Sequence, residues 1–262
     1  MRESDDLQAM LRRRLAHLAG NTRRIEAGRI PSGHARLDGA LGGGFARGCV
    51  HELFAAESDD GTSAAGLAAM LALLISAGGP ILWLRTDESA RRGGTLHAPG
   101  FAGLGGDPAT LLIAQAPDVA TLLRGAADAA RTSGLDALIV ECRGRCPALD
   151  LTASRRLALA AERSGATLFL LRADADPVPS AAETRWAVAA APSRALEAGA
   201  PGLPALDIEL LRRRAGPAGM RWRLEWDRDR QSFLDPALPG AVVSLSSRRP
   251  VAPDAERWRR RA

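Results

Sequence analysis

The sequence predicts an α/β fold, a mostly parallel sheet with helices on both faces. Three observations carry this. Ile81–Thr86 and Ala137–Glu141 are short, continuous apolar runs of strand length, the pattern of strands buried on both sides. Val119–Arg131 and Leu151–Ser164 place apolar residues at helical spacing. The two kinds of segment alternate along the chain, which is the order a parallel sheet with crossover helices requires.

The elements follow in order. Ser4 can cap a helix whose apolar positions Leu7, Met10, Leu11, Leu15 and Leu18 keep helical spacing and which Gly20 can end. With the polar linker Asn21–Arg29 this forms an N-terminal helical arm, 1–29. The core, 30–190, begins at Ile30, and Gly42-Gly43-Gly44 reads as a loop. Cys49–Phe54 is a strand and Ser63–Ala77 an Ala/Leu-rich helix; the strands Ile81–Thr86 and Thr110–Gln115 and the helix Val119–Arg131 come next. Ala137–Glu141 is a strand, Leu151–Ser164 a helix capped by Asp150 or Thr152, and Ala166–Arg172 a further strand. Pro177, Pro179, Pro192, Pro201 and Pro204 then break the texture, and Glu183–Trp186 leads into a second part, 191–235. There Leu206, Ile208 and Leu210 share one face, and Met220, Trp222, Leu224 and Trp226 another. The loop Arg212–Gly219 between them fits a hairpin, a C-terminal extension to the core. Trp186, Trp222 and Trp226 are read as core aromatics. Residues 236–262 form a loose basic tail.

Composition bounds the function. The 262 residues are 46% hydrophobic and 25% charged, ordinary for a globular protein. No apolar run reaches membrane-spanning length, and the polar start carries no signal-peptide core, so a cytoplasmic chain with no membrane partner is expected. Cys49, Cys142 and Cys146 are an odd set without the paired spacing of a zinc site, so free thiols and no metal are expected. The net charge of +5 is uneven, with Arg12–Arg14 early, Arg212–Arg214 late, and Arg248, Arg249, Arg257, Arg259, Arg260 and Arg261 at the end. Basic ends suit an anionic partner, or are solvated tails. Trp258 amid the last arginines makes the best linear-motif candidate, one aromatic anchor among cations.

The most informative feature is a missing residue. A P-loop reads G-x-x-x-x-G-K-[ST], its backbone amides cradling phosphates while the lysine reaches the β/γ oxygens. The matching stretch is Phe54-Ala55-Ala56-Glu57-Ser58-Asp59-Asp60-Gly61-Thr62-Ser63. Gly61 and Ser63 keep their places, Thr62 stands where the lysine belongs, and Asp59 and Asp60 add negative charge. All 35 basic residues of the Lys/Arg count are arginines, so no other lysine can substitute. Removing one such preorganised charge costs on the order of 10²–10³ in rate. The expectation is a degenerate P-loop with no catalytic residues, and the protein is not expected to be an enzyme.

Ile30-Pro31-Ser32-Gly33-His34-Ala35-Arg36-Leu37-Asp38-Gly39-Ala40-Leu41-Gly42-Gly43-Gly44, then His51–Phe54 and Ile81–Glu88, resemble the RecA family over roughly Ile30 to Arg172. A narrower set resembles the ImuA family: Leu96-His97-Ala98-Pro99-Gly100, Asp150–Leu157, Ser180–Trp186, Ala191-Pro192-Ser193 and Trp222–Asp227. The first resemblance implies a RecA-like frame in which Asp87 or, more closely, Glu88 answers the water-polarising carboxylate, and Glu141 the magnesium-associated one. Gly61, Thr62, Ser63, Glu88 and Glu141 are therefore the vestigial nucleotide residues, with no required cofactor and weak ATP/Mg binding left open. Only Cys142–Ala148 separates Glu141 from the next helix, where RecA carries long DNA-binding loops. RecA-type filaments are accordingly not expected, DNA contact would be indirect, and Arg143 and Arg145 read as a solvated turn.

The second resemblance implies a non-catalytic accessory of SOS-induced translesion synthesis and mutagenesis. It would bridge an ImuB-like Y-family-related protein and an error-prone DNA polymerase, with RecA a further partner. Arg155, Arg156, Arg248, Arg249, Arg257, Trp258, Arg259, Arg260 and Arg261 are the candidate partner or DNA contacts. The alternatives are a SulA-like cell-division inhibitor and a weakly ATP-binding RecA paralogue acting in DNA repair.

Overall fold

A computed structural model of the chain describes residues 28–132, 134–196, 200 and 202–236. The arm helix read at Ser4–Gly20 and the tail from Arg248 to Arg261 lie outside the described residues. A two-stranded ribbon, β1 (Arg29–Ile30) and β2 (Phe45–Ala46), flanks α1 (Ala35–Leu41). The chain continues through β3 (Val50–Ala55), a 3₁₀ turn at Ser58–Asp60, and α2 (Gly61–Ile75). Next come β4 (Ile81–Thr86), the short helices α3 (Asp87–Gly93) and α4 (Ala98–Gly103), β5 (Leu111–Ala116) and α5 (Val119–Ala130). β6 (Ala137–Arg143), α6 (Leu151–Ser164) and β7 (Thr167–Ala173) complete the alternating part. β8 (Thr184–Ala190), β9 (Ala205–Arg213), β10 (Arg221–Asp227) and β11 (Ser232–Leu234) follow.

Nine strands form one sheet in the order β11-β10-β9-β8-β3-β7-β6-β4-β5. The pairings from β8 through β3, β7, β6 and β4 to β5 are parallel, and those joining β8, β9, β10 and β11 are antiparallel. The expected α/β fold is present, with boundaries moved by a residue or two. Two points differ from the sequence reading. The lead-in at Glu183–Trp186 is the start of a full strand, β8, added parallel to β3 with Leu53 opposite Trp186. The hairpin then continues the same sheet through β8 and β9. The prolines that disguised this segment sit in the connection before β8, where no ladder amide is needed.

Helices cover both faces of the parallel part. On one face α2 buries Leu67, Leu71 and Ile75 against Leu53, Ile139 and Phe169. On the other, α5 and α6 bury Leu122, Ala126 and Leu157 against Val50, Leu138 and Leu168. The first core continues under the antiparallel strands, where Trp186, Trp222, Trp226 and Phe233 are buried with Leu37, Leu41 and Phe101 of α1 and α4. The tryptophans are thus core side chains; Trp186 and Trp222 lie 6.0 Å apart.

Buried polar groups are matched within this frame. His51 is fully buried, and its Nε2–H donates to the Ala46 carbonyl at 2.9 Å. Its Nδ1 then accepts the Thr184 hydroxyl at 2.7 Å, and the Thr184 oxygen accepts the Trp186 indole N–H at 2.7 Å. Glu52 and Arg185 form a buried pair between β3 and β8, Nε to Oε2 2.7 Å. The guanidinium groups of Arg172 and Arg185 lie 5.7 and 5.6 Å from the Phe54 ring centre. Gly44 is required by close approach: a Cβ there would lie 2.0 Å from the Ile30 carbonyl oxygen, and its φ is 111°.

Candidate functional site

Ligand sites of open α/β sheets form outside the carboxyl ends of the strands, so the ends of β3, β4, β6 and β7 define the place to look. The segment that matches a P-loop leaves β3, makes the 3₁₀ turn Ser58–Asp60 and enters α2 at Gly61. Its amides are partly occupied from within. Asp60 Oδ2 accepts the Glu57 amide at 3.2 Å, and Oδ1 accepts the Ala190 amide at the end of β8 at 2.8 Å. A carboxylate of the chain thus takes the role of anion in this loop. Thr62 is exposed, and Gly61 and Ser63 are half-buried.

Arg143, at the end of β6, lies over the start of α2. Its Nη2 is 2.9 Å from where a Cβ on Gly61 would sit. A cation at a helix N-terminus opposes the helix dipole, and here a carboxylate offsets it: Arg143 Nε donates to Asp174 Oδ2 at 2.8 Å. That bond, with the Ser58 hydroxyl, holds the Asp174 carboxyl below its usual range. Asp174 adopts φ 52°, a left-handed conformation uncommon for a non-glycine residue, as the chain leaves β7. The solvated turn expected at Arg143 is corrected, because the Arg143 side chain is only 14% exposed and is tied down. The signal missed was Asp174, 31 residues away.

Glu141 is engaged on both oxygens. Oε1 accepts from Arg85 Nη2 at 2.9 Å, and Oε2 accepts the Trp83 indole N–H at 3.0 Å. Arg85 also donates to the carbonyls of Ser89, in the first turn of α3, and of Gly94, just past its end, at 2.9 and 2.7 Å. Its Nε is buried without a partner among the described residues. Glu88 is exposed on α3 and pairs with Arg92 one turn on, at 3.1 Å. Of the five vestigial residues, Gly61 and Glu141 meet one arginine cluster, and Glu88 points to a surface pair instead. A nucleotide triphosphate with magnesium does not fit these residues as they stand: Gly61 is covered by a guanidinium, and the Glu141 carboxylate is already shared by two donors.

Two further features were not legible in the sequence. A cavity of about 500 Å³ opens between the turn after β6 and the connection after β7, lined by Cys146, Leu149, Leu151, Arg172, Val178 and Pro179. The Cys146 thiol is lowered to about 7, first by a hydrogen bond with Cys142 and then by the Arg172 guanidinium, while burial opposes the shift. The Cys142 thiol is pushed well up by the same bond and by burial. Cys49 is raised to about 12, chiefly by burial. All three cysteines are free, and among the described residues no cluster of three or more His, Cys, Asp or Glu could hold a metal ion. A second cavity of about 410 Å³ lies between α5 and α6, with Arg156 on its lining. Asp150, rather than Thr152, caps α6, its Oδ1 accepting the Ala153 amide at 2.7 Å. Arg155 and Arg156 are exposed in the second turn. Arg248, Arg249, Arg257, Trp258, Arg259, Arg260 and Arg261 lie outside the described residues. No described helix is long and apolar enough to cross a membrane.

No family model matches the chain. The chain is similar to the protein ImuA of two Caulobacter vibrioides strains, 37% identical over 213 residues, 76% of this chain and 77% of that one. It is similar to RecA of Picosynechococcus sp. at 30% identity over 122 residues, 47% of this chain and 33% of that protein. Among solved structures, the crystal structure of the RadB recombinase matches with a TM-score of 0.53 and 13% identity, over 79% of this chain and 100% of that chain. The last is a likeness of fold alone.

Proposed function

This chain belongs to the ImuA family and has a RecA-like fold, and from that we infer that it is a non-catalytic accessory of SOS-induced translesion DNA synthesis. It acts by protein contact, bridging an ImuB-like Y-family-related protein and an error-prone DNA polymerase, with RecA as a further partner. The RecA-like frame serves as a scaffold and needs no nucleotide, and DNA is reached through the partners. The three free thiols support placing this activity in the cytoplasm.

One observation carries the reading. At the carboxyl ends of the strands the groups that would handle phosphate and magnesium are held by the chain's own arginines: Arg143 over Gly61, and Arg85 on Glu141. A guanidinium is a broad planar fork and does not replace a lysine ammonium in a tight loop.

The test is capture of the tagged full chain from cells after DNA damage, together with an ATP assay on the purified protein. Recovery of the ImuB-like protein and the polymerase, with no DNA-stimulated ATP turnover, is expected. Robust turnover would overturn the non-catalytic reading. Recovery of the division tubulin in their place would move the chain to the SulA-like class.

A further inference from the structure

The parallel neighbours α5 and α6 leave a groove on the surface of the molecule. Leu123 and Ala127 of α5 and Ala153 and Leu157 of α6 give it an apolar lining. Arg124, Arg131 and Arg156 also line it, together with one carboxylate, Asp128. Asp128 is bound to Arg131 at 3.0 Å, and Arg124 donates to the Thr121 hydroxyl, with the Asp118 carboxylate within electrostatic reach. Elsewhere on α6 Arg155, Glu162 and Arg163 are exposed. The two N-cap aspartates, Asp118 and Asp150, accept the amides of Thr121 and Ala153 and keep their charge, but neither lines the groove. Leu159, 53% exposed on α6, is a large apolar side chain on the same helix.

We infer that the groove between α5 and α6 is a docking site for an acidic amphipathic helix of a partner protein. The inference rests on the scaffold reading above and says where and by what chemistry one contact is made. Charge decides the occupant: among the lining residues three arginines against one carboxylate favour a negatively charged ligand. The lining decides its class. Leu123, Ala127 and Ala153, half-buried above the core residue Leu157, reward apolar side chains projecting at i, i+3/i+4 and i+7, the anchors of a helix laid in a groove. A nucleic acid would meet the arginines but leave this lining without contacts, and among the described lining residues there is no aromatic ring for a base to stack on. The chain's own segment Leu7–Leu18 has the apolar spacing but carries Arg12, Arg13 and Arg14, which the groove arginines repel.

The test is a selection of displayed helical peptides of random sequence against the full chain, followed by fluorescence anisotropy of the enriched peptides. Enriched sequences are expected to be rich in Asp and Glu, with Leu, Ile or Phe at helical spacing. The double variant R124E/R156E, whose thermal melting should match the parent because both side chains are at the surface, is expected to weaken these peptides by at least about tenfold. Their Glu-to-Lys counterparts should regain binding to the variant. Enrichment of basic or uncharged peptides, or binding that the charge reversal leaves unchanged, overturns the inference. So does a dT20 oligonucleotide that binds at the same arginines and displaces the peptides. If R124E/R156E still recovers the ImuB-like protein and polymerase from damaged cells, the groove assignment falls and the scaffold reading stands.

Discussion

Arg85 on β4 and Glu141 on β6 stand opposite each other in the parallel ladder and meet at 2.9 Å, Nη2 to Oε1, with side chains 3% and 11% exposed. The pair ties two neighbouring parallel strands together and, through the Ser89 and Gly94 carbonyls, anchors α3. Removing one partner of a buried pair leaves an uncompensated charge. Glu141→Ala is therefore expected to destabilise the fold by about 3–5 kcal/mol, read as a lower urea midpoint with an unchanged slope. A carboxylate held in reserve for magnesium would lower stability little when removed.

Thr62→Lys restores the letter of the P-loop but not its surroundings. With Arg143 against Gly61 and Arg85 on Glu141, the variant is expected to show no ATP turnover above the parent in a phosphate-release assay with single-stranded DNA present. Turnover in this variant would mean that the arginine cluster yields readily to nucleotide.

His51 gives the fold a pH dependence. Burial lowers its pKa from the usual 6.5, so near and below that value the unfolded chain binds more protons than the folded one. Stability therefore rises with pH in this window, is fully present above about pH 6.5, and is lost as the pH falls toward the folded value. Urea midpoints measured from pH 7.5 to 5 should fall in the parent and fall less in His51→Gln. The Asp118 and Asp174 carboxyls, both lowered, act further down: their contribution is present above about pH 3.8 and is lost below it.

The thiols separate by environment. Cys146, lowered to about 7, should be alkylated by iodoacetamide first, at a rate half-maximal near pH 7, while native Cys49 and Cys142 resist. Cys142→Ala removes the largest cause and should move the Cys146 profile upward. Peptide mapping after a timed quench reads both.

The parallel core was legible because β4, β6 and β7 each hold an apolar run of strand length, while β3, which carries His51 and Glu52, is marked by the P-loop-like segment after it. β8 was not, because Trp186 and Val188 alternate with Arg185 and Ala187 behind two prolines, and its place beside β3 depends on long-range pairing. α3 and α4 are too short, and too near Gly93, Gly94, Gly100 and Gly103, for a period to show. At the site, the positions of Gly61 and Glu141 could be read from their strands. What occupies them could not, since Arg143 finds Asp174 only after β6 and β7 pair. The Arg85–Glu141 match left a trace, as both close apolar strands at the same level.

At the far edge of the sheet the two ends of the described chain are clasped together. The Phe233 amide donates to the Ser32 carbonyl at 2.8 Å, and His34 Nε2–H donates to Asp235 Oδ1 at 2.8 Å, its Nδ1 being used to accept the Leu37 amide. Tension applied between residues 28 and 236 loads this clasp before it reaches the parallel ladder. Two proteins tethered to opposite ends of the chain could therefore pull against one another while the β3–β7 centre stayed unloaded. The clasp, not the core, would set the force at which the molecule begins to open.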